Sequence, residues 1–123
     1  MRVDGSNHTF DFTHVNDVVR GLRALIGLLE SGEQSLSPVH LVSGHPTSLG
    51  ELAATCCRLA KSGAAVTEAA PRSYDVARFY GDPARAQELL GWKSETSLEV
   101  GLMRLIEDFR HELELRSAAE ASV

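Results

Sequence analysis

The sequence predicts an α/β fold with a thin sheet: about four helices and two or three short strands. Two observations carry this. Helical and extended stretches alternate along the chain, with turn formers between them. The helical stretches are also too long and too apolar for the few strands available to cover. Composition agrees with a folded domain: the 123 residues are 43% apolar and 24% charged.

Met1–Asp4 and His8–Phe12 are short extended runs around Gly5-Ser6-Asn7, a pattern that predicts a hairpin. A first helix is expected from Thr13, whose hydroxyl can cap it, with Asp17 in the first turn where the helix dipole favours an anion. Val15, Val18, Val19, Leu22, Leu25, Ile26 and Leu29 then fall on one helical face, widened by Leu28. A face that apolar calls for a broad partner surface. After the polar Ser31–Ser35 loop, Val39–Val42 reads as a strand closed by Ser43-Gly44-His45-Pro46. Ser48 and Glu51 have the spacing of a capping box, which starts a second helix running to about Lys61. Ala65–Glu68 reads as a short strand before Pro71. Asp82-Pro83 opens a third helix and Gly91 ends it, with Trp92 packing back. Thr96 and Glu99 offer a second capping box for a last helix carrying Leu98, Leu102, Leu105, Ile106, Phe109 and Leu113. Residues 1–115 are thus read as one domain and 116–123 as a flexible tail.

Several functions are disfavoured. The formal charge of −5, with basic residues scattered, argues against nucleic acid. Cys56 and Cys57 are adjacent and point about 100° apart on a helix, so they chelate a metal poorly. The five histidines show no paired metal spacing. No run approaches the ~20 apolar residues of a membrane span, and no signal peptide is evident, so the expected setting is cytoplasmic and away from membranes. A pairing of His14 with Asp11, and a Cys57 nucleophile, complete the candidates for an unrelated small enzyme.

The ordered series "DFTHVNDVVRGL", "VHLVSGHPTSLGELAATCCRLAK" and "PRSYDVARFYGDPARAQELLGWKSETSLEVGLMRLIEDF" resembles the C-terminal part of the NAD-dependent epimerase/dehydratases, the extended short-chain dehydrogenase/reductases that act on nucleotide sugars. The likeness runs from about Asp4 to Phe109. It implies a partial, substrate-binding portion of that fold with no complete Rossmann sheet, and NAD as the cofactor of the full-length family. It implies that Arg72 approaches the phosphates of a nucleotide sugar and that Asp75 approaches its nucleotide. Two positions depart from the family pattern: Phe10 stands where an arginine is usual, and Tyr74 where a glycine is usual.

The sequence contains no GxGxxG turn for a cofactor pyrophosphate. It also lacks the family's Tyr-x-x-x-Lys: Tyr74 is followed four residues on by Arg78, which stays protonated, and Tyr80 by Ala84. No catalytic, cofactor-binding or metal-binding residue is therefore assigned. The expectation is a truncated epimerase/dehydratase-like chain that binds a nucleotide sugar, is inactive alone, and works with a Rossmann-domain chain or as a homodimer. The alternative is a non-enzymatic interaction or oligomerisation module on the same scaffold.

Overall fold

The computed structural model describes residues 1–33 and 35–120. In chain order its elements are β1 (Arg2–Asp4), β2 (Thr9–Asp11), α1 (Val15–Glu30), β3 (Pro46–Ser48), α2 (Leu49–Ala60), β4 (Thr67–Ala69), β5 (Arg78–Phe79), α3 (Ala84–Leu90) and α4 (Leu98–Glu120). The α/β class stands, but the strands are shorter and more numerous than expected. They form two small sheets. In one, β1 runs parallel to β4, with Arg2 opposite Thr67. In the other, β2 lies between antiparallel β3 and parallel β5, with Thr9 opposite Ser48 and Arg78.

The expected hairpin does not form. β1 and β2 belong to different sheets, because the turn between them spends its backbone groups elsewhere. Gly5 N–H donates to Ala69, while Leu49 N–H and Gly50 N–H donate back to His8 and Ser6. The turn is thereby tied to β4 and to the start of α2. Val39–Val42 also forms no strand and pairs with none among the described residues. Leu41 packs instead against Gly21 of α1, where an added Cβ would stand 2.6 Å from its methyl carbon.

Local signals proved more dependable. Ser48 Oγ accepts from Glu51 N–H, and Glu51 returns a carboxylate oxygen to Ser48 N–H, completing the capping box of α2. Gly91 adopts φ 60° at the end of α3, a left-handed conformation that glycine takes without strain. Three starts differ from expectation. His14 rather than Thr13 caps α1, through Nδ1. α3 starts one residue later than expected, with Pro83 rather than Asp82 at the cap position and no side-chain cap bond there, while Asp82 just before it accepts from Ala84 N–H at 2.9 Å. At α4, Ser97 Oγ accepts from Val100 N–H, because the Thr96 amide is committed to Asp17 and Glu99 to Arg58. Of the tail expected over 116–123, residues 116–120 continue α4, helped by good helix formers and an Arg116–Glu112 pair one turn apart. Residues 121–123 lie outside the described residues.

The interior is small. α1 packs on α3 and α2 on α4, around Ala53, Ala86 and Trp92. Its most connected member is polar. The Asp17 side chain is 5% exposed. One oxygen accepts from Arg20 at 2.7 Å; the other accepts from Ser94 Oγ, Glu95 N–H and Thr96 N–H. The Asp17 main-chain oxygen accepts the Trp92 indole N–H at 2.8 Å. Arg20 extends the network to Glu95 and to the Lys93 carbonyl. One residue thus joins α1 to the connection between α3 and α4.

The apolar face of α1 points away from this interior. Val15, Val19, Leu22, Ile26 and Leu29 are all about half exposed or more, while Asp17 and Gly21 are the helix's buried residues. The broad stripe read from the sequence is real; Val18, Leu25 and Leu28 are partly covered and the other five are left open.

Burial pushes the Asp17 pKa up, but the Thr96 N–H, Arg20, Glu95 N–H and Ser94 together outweigh it and bring the group from 3.8 to about 2. Because the folded value lies below the unfolded one, the stabilisation is complete above about pH 5 and disappears as the pH falls toward 2. It amounts to about 1–2 kcal/mol once the exposed Arg20 is discounted. Denaturant titrations between pH 7 and pH 2.5 are expected to show this loss for the wild type. In Asp17→Asn the acid-dependent loss shrinks by that amount, and the variant is already less stable at pH 7.

Candidate functional site

The two residues singled out from the sequence, Arg72 and Asp75, occupy the loop between β4 and β5, and the fold brings them together. The loop closes on itself: Asp75 N–H donates to the Arg72 carbonyl, and Arg72 N–H donates to Asp75 Oδ2 at 3.0 Å. The side chains repeat the pairing. Arg72 Nε lies 3.1 and 3.2 Å from the two carboxylate oxygens, and Nη2 lies 3.1 Å from Oδ1. A guanidinium meeting a carboxylate through two donors is held along the shared edge. The Arg72 hydrogen bonds hold the Asp75 carboxyl below the usual aspartate range. The same carboxylate raises the Arg72 pKa.

The surroundings explain where this loop sits. Parallel pairing of β2 with β5 anchors its far end, and the β1–β4 pair anchors its start. His8, between β1 and β2, is buried beside this loop's anchoring strands. Both family departures are visible. Phe10 lies in β2 opposite Phe79 and meets Phe12 edge to face at 6.3 Å. It supplies packing where an arginine would supply donors. Tyr74 is 75% exposed, and its ring lies under the Arg72 guanidinium with 5.1 Å from Cζ to the ring centroid.

The alternative catalytic groupings do not assemble. His14 Nδ1 accepts from Asn16 N–H. Asp11 accepts from Thr13 Oγ1, Ser43 N–H and Gly44 N–H, so it anchors the turn before β3. Sequence reasoning missed that role of Asp11, and it read Asp17 only as a helix-dipole residue; in both cases most of the donors come from segments distant in the chain. Among the described residues, no group of three or more His, Cys, Asp or Glu side chains is placed to hold a metal ion. Likewise, no helix of the described chain is long and apolar enough to cross a membrane. The open groove along α4 encloses about 690 Å³ between Phe12, His14, Leu52, Leu98 and Leu102.

NAD does not fit the residues of this chain. The helix starts bear His14, Ser48, Pro83 and Ser97 in place of a glycine-rich turn, and the Ser48–Glu51 box already takes up first-turn donors of α2.

The fold defines a class: the chain is similar to the C-terminal portion of the NAD-dependent epimerase/dehydratases, as its motif series implied. The individual relatives are enzymes of UDP-sugars. UDP-glucuronic acid decarboxylase 1 of Xenopus tropicalis is 35% identical over 115 residues, which are 93% of this chain and 26% of the relative. UDP-glucose 4-epimerase of Caenorhabditis elegans is 33% identical over 98 residues, 79% of this chain and 28% of the relative. The chain therefore spans about a quarter of the length of these curated relatives. Among solved structures, UDP-glucose 4-epimerase of Thermotoga maritima, crystallised with UDP-glucose, superposes with a TM-score of 0.80 at 27% identity, over 92% of this chain and 35% of that one. MoeE5, in complex with UDP-glucuronic acid and NAD, gives 0.77 at 26% identity, over 91% and 37%. No protein-family model matches the chain.

Proposed function

We propose that this chain is a nucleotide-sugar-binding portion of an NAD-dependent epimerase/dehydratase, and that its ligand class is a UDP-sugar. The observation that carries the reading is the Arg72–Asp75 loop. It presents an oriented guanidinium beside a carboxylate, one suited to phosphate oxygens and the other to hydroxyl or base N–H donors. UDP-sugars or UDP accompany several of the structural neighbours, which supports the choice of nucleotide. Arg72 has the phosphate role and Asp75 the nucleotide role. Redox chemistry needs a pyrophosphate turn and a Tyr–Lys couple that these 123 residues do not carry, so the chain contributes binding, is inactive alone, and works with an NAD-binding portion in the cytoplasm. The uncovered stripe of α1 is the face on which that portion rests. Calorimetric titration of UDP into the chain is expected to give saturable binding that weakens about tenfold or more in Arg72→Ala, the cost of one charged hydrogen-bonding partner. Equal affinity in the variant, or no binding by the wild type, contradicts the reading.

One observation favours a second reading, an oligomerisation module. Val15, Val19, Leu22, Ile26 and Leu29 are spaced by four, three, four and three residues, the a/d pattern of a two-stranded coiled coil, and all are exposed. Light scattering across a dilution series separates the two readings: a dimer that dissociates on changing Ile26 to Lys supports pairing of α1 between copies, and a monomer at every concentration excludes it.

A further inference from the structure

Arginine carries about 2 kcal/mol of rotamer entropy, and an anionic ligand that immobilises a free side chain forfeits it. The Arg72 side chain is 58% exposed, yet two neighbours already restrain it. Asp75 takes the Nε–Nη2 edge and so fixes the guanidinium within its plane. That contact alone leaves the plane free to tilt about the shared edge. Tyr74 supplies a second restraint: Arg72 Cζ lies over its ring, 5.1 Å from the centroid, where the negative face of the π-system attracts the cation. At 75% exposed, the ring buries too little surface for packing to account for its position.

We infer that Tyr74 is a positioning residue for the phosphates of a nucleoside diphosphate: it holds the tilt of Arg72 so that the guanidinium edge not taken by Asp75 meets the phosphate oxygens. The inference rests on the phosphate-binding reading of Arg72 given above. Tyr74 acts through Arg72 and does not touch the ligand. The cation–π attraction belongs to the ring, so a phenylalanine keeps it. An aliphatic side chain of similar size fills the same space without the attraction.

The test uses the full chain and two readouts: UDP affinity by calorimetry, and the order of the Arg72 Nε–Hε vector by ¹⁵N relaxation without ligand. Tyr74→Leu is expected to lower UDP affinity roughly two- to fivefold, the range of an exposed cation–π contact, and to loosen the Nε–Hε vector. Tyr74→Phe restores both, and the thermal melts of the two variants coincide with that of the wild type. Unchanged affinity and unchanged order in Tyr74→Leu overturn the inference. Lost affinity with unchanged order overturns it too, since Tyr74 then contacts the ligand directly. Arg72→Ala separates the underlying reading: if it binds UDP as tightly as the wild type, the phosphate role of Arg72 fails and the positioning role of Tyr74 toward the phosphates fails with it. The relaxation measurement still reports independently whether Tyr74 restrains Arg72.

Discussion

The carboxylate of Asp17 draws together parts of the chain that have little else to hold them. Four donors converge on it, from Arg20 one turn along its own helix and from Ser94, Glu95 and Thr96. The indole of Trp92 closes on the main-chain oxygen of the same residue. An ionised group this enclosed is costly unless each lone pair is used. Here the cost is offset by donors whose positions then become fixed. The start of α4 follows, because the Thr96 amide is already committed and the cap passes to Ser97. The seat of α3 follows as well, because Trp92 N–H also bonds to Ala86 while its ring lies 2% exposed over the small interior.

A polar hub has this weight because the apolar interior is meagre. Ala53, Ala86 and Trp92 are its buried apolar members. The larger apolar side chains of α1 line the outside. The same economy shapes the functional loop. Arg72, Tyr74 and Asp75 owe their arrangement to one another and to the strand pairs at either end, with little burial. Their geometry is therefore local.

What the sequence revealed follows the range of the interactions. The Ser48–Glu51 box, the Gly91 stop and the return of Trp92 are decided within a few residues, and each is where its pattern places it. The β1–β2 hairpin was misread because the partners of Gly5, Ser6 and His8 lie in Ala69 and at the start of α2. Val39–Val42 has the composition of a strand but pairs with none among the described residues. Periodicity located the apolar stripe of α1 without revealing which face the neighbouring elements would cover. At the site, Arg72 and Asp75 were reached through the family resemblance. Their mutual pairing and the stacking of Tyr74 required coordinates, since no spacing rule assigns a cation to the face of a ring two residues away.

The most direct test of Asp17 as the organising contact is amide hydrogen exchange at neutral pH, comparing wild type with Asp17→Asn. The account predicts that protection falls at Glu95, Thr96 and the Trp92 indole and spreads into α3 and the first turn of α4, while the Ser48–Glu51 start of α2 keeps its own. Unchanged protection across residues 92–101 would contradict it.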